Sequence, residues 1–134
     1  MSVMTDRGVA MPCLELNASM TLREISRNTQ HTIAFCRSGY IPTSEHQHAG
    51  FSIHNAGARG LIDFTPEIAY EQTSALGVCA IYEKAMTMDG CLRGIPHMRI
   101  QLAYWSGRMV SQALAMRFLM ELKRDIECPM SLFV

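Results

Sequence analysis

The chain has 134 residues, 49% of them apolar and 18% charged, with a formal net charge of zero. That composition excludes a disordered or collagen-like chain and fits one folded domain burying roughly two thirds of its unfolded surface. Neutral charge argues against a protein that coats nucleic acid or an anionic membrane.

The twelve cations are ten arginines and two lysines, a skew that matters for anion recognition only where the arginines cluster. Five cysteines, Cys13, Cys36, Cys79, Cys91 and Cys128, form no C-x-x-C pair. Together with an N-terminal stretch that lacks an apolar h-region, they predict reduced thiols in a cytoplasmic, bacterial-type protein. The best apolar stretch, 98–120, is broken by Arg99, Arg108, Gln112 and Arg117, so no membrane span is expected.

Residues 1–18 show no clear period and read as an N-terminal arm. Thr21 and Glu24 then make a T-x-x-E capping box. The stripe Leu22, Ile25, Thr29, Ile33 and Cys36 predicts a helix over 21–38, stopped by Gly39 and Pro42. Residues 43–64 hold short alternating runs, "GFSIH" and "GLIDF", around the Gly-rich "NAGARG", and predict a small β-hairpin or a loop. Thr65 and Pro66 look like a helix start. Ile68, Ala75, Cys79, Tyr82 and Met86 extend it as a helix over 66–88, ending at Asp89-Gly90. After the linker "CLRGIP", Pro96 opens a long helix over 96–126 on the face Met98, Leu102, Trp105, Met109, Ala113, Met116 and Met120, with Pro129 as its stop.

Small residues recur every fourth position in the last two segments: Ala69, Thr73 and Gly77 in one, Ala103, Gly107, Ser111 and Ala115 in the other. Read as helix ridges, these rows predict a close-packed antiparallel helix hairpin. The expected fold is therefore mainly α with a small β-hairpin: one domain over 1–134, with three principal helices. Bulky flanks such as Tyr70, Tyr82, Tyr104 and Trp105 then call for a second copy in a dimeric bundle.

The most reactive-looking stretch is Glu45, His46, His48 and His54. An extended H-x-H puts both imidazoles on one side, so His46, His48 and His54 are the candidate metal ligands. The glycine and H-x-H resemble the first cupin motif, but the acidic residue that should follow is missing and too few strands remain for that barrel. No G-x-S-x-G, Walker loop, G-x-G-x-x-G or H-E-x-x-H is present.

The functional expectation is a small protein-binding regulator or inhibitor, a homodimer without catalysis or cofactor, that masks a surface of another protein. Tyr104, Trp105, Arg108 and Phe118 are its candidate contacts, since aromatic residues and arginine dominate hot spots. Two alternatives stand beside it. One is a metal-dependent enzyme or sensor built on the three histidines. The other is a winged-helix-like DNA-binding regulator, disfavoured because 25–33 leaves no room for the turn of a helix-turn-helix.

Overall fold

The computed structural model describes residues 1–39, 49–107 and 110–133. The elements in chain order are β1 (Val3–Thr5), β2 (Gly8–Ala10), α1 (Leu22–Arg37), β3 (Phe51–Asn55), β4 (Ser74–Met88), β5 (Cys91–Tyr104) and α2 (Gln112–Glu127). A 3-10 turn follows β3 at Gly57–Arg59, and another ends the chain at Pro129–Phe133.

β1 and β2 form a small hairpin, and Ser2 N donates to Ile53 O at 2.8 Å, joining this arm to the free edge of β3. Helix α1 begins with both halves of the capping box in place: Thr21 accepts from Glu24 N, and the Glu24 carboxylate accepts from Thr21 N at 2.8 Å. It packs Cys36 and Ile33 against Val3 and Ala10.

The main sheet has the order β3-β4-β5, with β3 parallel to β4 and β4 antiparallel to β5. Asp89 and Gly90 both take positive φ, +52° and +76°, which makes the two-residue connection of β4 and β5 a type I′ turn. A register shift between Val78 and Ile81 interrupts the ladder. There the chain leaving β3 crosses over β4: Ala56 N donates to Val78 O at 3.0 Å, and Ala80 N donates to Leu61 O at 2.7 Å. Beyond this bulge the two strands run on as an arm whose residues 83–94 are exposed on both faces. α2 starts at Ser111, whose hydroxyl accepts from Leu114 N at 3.2 Å, and lays Phe118 edge-on against Phe51 of β3 at 5.8 Å.

This architecture overturns the mainly helical expectation. The described residues contain two α-helices and five strands. Residues predicted as the helix 66–88 are an irregular segment followed by β4, and those predicted as 96–126 divide into most of β5, a turn and α2. The physical reason is that a four-residue repeat is two full strand periods as well as about one helical turn. The small-residue rows are therefore no helix-helix seam. Ala69 and Thr73 precede β4, Gly77 lies within it and Ala103 lies in β5. Gly107 takes φ +92° in the turn before α2, Ser111 caps that helix, and Ala115 is its buried residue. The predicted 43–64 hairpin is also absent among the described residues: "GFSIH" is the strand β3, but its partner is the parallel β4, and "GLIDF" pairs with no strand.

Candidate functional site

Register assigns the side chains of the main sheet to faces. Ser52 pairs with Ala75 and then Ala103; His54 pairs with Gly77 and then Gln101. Laterally paired residues point the same way, so these six share one face. Phe51, Ile53, Leu76, Leu102 and Tyr104 share the other, the one covered by α2.

The first face carries the polar groups. Ser52 is 1% exposed, and its Oγ lies 3.0 Å from His54 Nε2. With that nitrogen unprotonated, the hydroxyl donates and the ring accepts. His54 is half-buried, and its pKa is lowered from the ordinary 6.5, first by burial and then by the N-terminal ammonium; the carboxylate of Glu67 pulls the other way. The ring is therefore held in its neutral, base-competent form near neutral pH.

The segment after the crossover closes over the same face. Gly77 makes room for it, because a Cβ there would stand 3.0 Å from Phe64 Cζ and 3.1 Å from Pro66 Cδ. Asp63 takes hydrogen bonds from Arg99 and Gln101 of β5, and Thr65 Oγ1 lies 3.5 Å from Gln101 Oε1. The result is a serine-histidine pair on an edge strand, walled by a loop that an ion pair fastens to β5.

Of the residues predicted for metal binding, His54 is in this pair, while His46 and His48 lie outside the described residues. Among the described residues no group of three His, Cys, Asp or Glu side chains could hold a metal ion. Of the predicted partner contacts, Tyr104 ends β5, the half-exposed Trp105 follows it, Phe118 sits on α2 against Phe51, and Arg108 lies outside the described residues. Ser52, Asp63, Arg99 and Gln101 were missed. Ser52 had a usable signal, the two-residue spacing to His54 within an alternating strand. The Asp63 contacts had none, because they join positions 36 and 38 residues apart.

A second concavity of about 700 Å³ lies between the β4–β5 arm and the second half of α2. Ile81, Met98 and Ile100 form one wall and Leu119, Leu122 and Ile126 the other, with Lys84, Lys123 and His97 also lining it.

The model of one protein family, the 2-oxoacid dehydrogenases acyltransferase (catalytic domain), matches residues 1–134. The succinyltransferase component of the 2-oxoglutarate dehydrogenase complex of Bartonella vinsonii subsp. berkhoffii is 33% identical over 128 residues, 96% of this chain and 31% of that protein. The dihydrolipoamide acetyltransferase of Azotobacter vinelandii superposes with a TM-score of 0.81 at 22% identity, covering 99% of this chain and 54% of its own. A truncated catalytic core of the 2-oxoacid dehydrogenase multienzyme complex of Thermoplasma acidophilum does so with a TM-score of 0.75 at 27% identity, covering 96% and 56%. The chain thus spans about a third of the length of the curated relatives it matches. These likenesses overturn the reading as a regulator or inhibitor that masks a partner, since the relatives are components of acyl-transferring enzymes. The match runs the whole length of the sequence, and this chain belongs to the 2-oxoacid dehydrogenase acyltransferase catalytic-domain family.

Proposed function

We propose that this chain works in acyl transfer to or from a dihydrolipoyl thiol, as part of the multimeric core of a 2-oxoacid dehydrogenase-type complex. The family match over residues 1–134 carries the reading. The chemistry asks for a base that takes the proton of an attacking thiol, whose free pKa is about 8.5, and for a donor near the oxyanion that develops. His54, kept neutral by burial, is the group placed for the first task. A cytoplasmic setting belongs to the same reading and is supported by five free cysteines, two of them exposed.

The assay is exchange between an acetyl or succinyl thioester and dihydrolipoamide, followed by thioester absorbance on the assembled protein. The expected result is turnover above the uncatalysed rate that drops at least a hundredfold in His54→Gln. No turnover from a folded, assembled protein would overturn the reading.

One observation bears on the assignment of the base to His54. The catalytic mechanism of the Azotobacter neighbour involves a serine, a histidine and an asparagine four positions after that histidine. Here the residues four after His31, His46, His48, His54 and His97 are Phe35, Gly50, Ser52, Ala58 and Gln101. The His54→Gln variant in the same assay tests that assignment, and turnover unchanged in it would overturn the role of His54.

A further inference from the structure

The segment that covers the His54 face is fastened from outside its own backbone. Leu61 is tied at its start, its carbonyl accepting from Ala80 N at 2.7 Å. Beyond it, Ile62, Asp63, Phe64, Thr65 and Pro66 belong to no helix or strand and, among the described residues, make no backbone–backbone hydrogen bond. Side chains hold this stretch to the sheet.

Asp63 makes the polar tie. One carboxylate oxygen accepts from Arg99 and the other from Gln101. These donors stand two residues apart on β5, so both point to the face that carries His54. Phe64 makes the apolar tie. Gly77 lies between His54 of β3 and Gln101 of β5 in one lateral row, and the tip of the Phe64 ring fills the notch its missing side chain leaves, with Cζ 3.0 Å from where a Cβ would stand. Paired strands lie about 4.8 Å apart, so the ring tip stands one strand spacing from His54. Pro66, which is buried, closes the same notch at 3.1 Å.

We infer that Asp63 is a positioning residue for His54: its bonds to Arg99 and Gln101 seat Phe64 in the Gly77 notch and so set how far water and an incoming thiol reach the imidazole. The tie is able to release. Asp63 is 53% exposed and Arg99 49%, a setting in which an ion pair holds weakly. A stretch without backbone hydrogen bonds also opens more readily than the sheet beneath it.

Charge and cover make opposite forecasts. Burial is the first cause of the lowered His54 pKa; the N-terminal ammonium lowers it further and the Glu67 carboxylate raises it. Removing the Asp63 carboxylate takes away a negative charge and leaves Arg99 unpaired, and through the field alone both changes push the His54 pKa further down. Releasing the cover admits water and lets it rise toward the ordinary 6.5.

Carbethoxylation of His54 by diethyl pyrocarbonate, followed by peptide mass across pH on the assembled protein, reads both effects. The reagent takes the neutral ring, so the midpoint reports the pKa and the plateau rate reports access. Asp63→Ala should raise the plateau about fivefold or more and move the midpoint up. Phe64→Ala, which empties the notch and keeps the carboxylate, should do the same. Asp63→Asn keeps an acceptor oxygen without the charge and should lie closer to the parent than to Asp63→Ala. Exchange protection of the backbone amides of 74–78 checks that the sheet is intact, and if Asp63→Ala loses it, Phe64→Ala decides by the same two readings. An unchanged plateau, a midpoint that falls or stays in place, or Asp63→Asn matching Asp63→Ala would each overturn the inference. It rests on the reading of His54 as the base only for its use in acyl transfer; carbethoxylation needs no turnover, so the two fail separately.

Discussion

The crossover at Gly57 holds the strand bearing Ser52 and His54 onto the sheet, and adding one methyl group there tests that role. A Cβ on Gly57 would stand 2.6 Å from the carbonyl oxygen of Cys79, 2.8 Å from its carbon and 3.0 Å from Ala80 N. All three are backbone atoms, so no side chain can turn aside; ordinary heavy-atom contact needs about 3.5 Å. The chain can relieve the overlap only by lifting away from the β4 bulge. That stretches the hydrogen bonds from Ala56 N to Val78 O and from Ala80 N to Leu61 O. Overpacking of this kind costs about 1–3 kcal/mol, and each buried backbone group left unpaired costs a similar amount. Gly57→Ala should therefore lose about 2 kcal/mol, which for a chain of this length lowers Tm by about 7 °C. Gly50→Ala is the control, since it meets nothing within 4 Å and has no positive φ, and should fall within about 0.5 kcal/mol of the parent. Thermal unfolding of both variants by circular dichroism decides the matter. A Gly57→Ala protein as stable as the control would refute the close crossover and with it the placement of β3.

Further expectations concern charge, caps and turns. Because burial depresses the His54 pKa, the unfolded chain binds more protons than the folded one between the lowered value and the ordinary 6.5. Stability should therefore fall on acidification from neutral pH through that window. His54→Gln should flatten this part of the denaturation profile, and an unchanged profile would refute the burial. Glu24 is held below its ordinary 4.5, first by the backbone hydrogen bond from Thr21 and then by the Thr21 hydroxyl, so its contribution is present above the ordinary value and lost as pH falls through the lowered one. Thr21→Ala should cost about 1 kcal/mol in the denaturant midpoint by removing the N-cap, with Thr21→Ser recovering most of it. Gly90→Ala, at φ +76°, should cost roughly 1 kcal/mol, whereas Asp89→Asn should be near neutral because asparagine tolerates positive φ.

What could be read from the residues depended on how local each signal was. The capping box at Thr21 and Glu24 needs four consecutive residues and nothing else, and it is present as spaced. Cys36 and Ile33, on the predicted stripe of that helix, reach the small N-terminal core. Asp89-Gly90, by contrast, reads as a helix stop. The same dipeptide is also the strongest short hairpin signal, and the β-branched and aromatic residues before it, Val78, Ile81, Tyr82 and Thr87, favour strands. Spacing by four could not arbitrate between these readings, and the good helix formers Ala, Leu, Met, Glu and Lys tipped the balance the wrong way. Gly77 reads as part of a helix-packing row, but it lies in a strand and faces Phe64 of a covering loop rather than a second helix. His54 reads in the sequence as a metal ligand. Its actual partner, Ser52, becomes evident only once the run is a strand, because two-residue spacing then puts both on one face.

The burial of that serine constrains the chemistry further. A serine beside a neutral histidine suggests an acyl-enzyme route, in which Ser52 Oγ attacks the thioester, His54 takes its proton and the thiol leaves. Ser52, however, is 1% exposed, and its hydroxyl is already engaged by His54 at 3.0 Å on the same face of the sheet. An acyl donor cannot reach it while the groups packed over that face of the sheet stay in place. The half-buried imidazole is the more accessible member, so the serine can only fix the ring's orientation. On the proposed acyl-transfer reading, the proton His54 takes would then come from an incoming thiol that attacks the thioester directly. Both substrates have to be present together, and initial-rate plots should intersect rather than run parallel. Intact-mass analysis after mixing with the acyl thioester alone should show no acyl adduct on Ser52. Ser52→Ala should retain turnover within about tenfold, with an altered pH profile as the ring loses its partner, whereas His54→Gln should not. A stable acyl adduct at Ser52, or parallel rate lines, would contradict the buried serine and require the cover over that face to lift during the reaction.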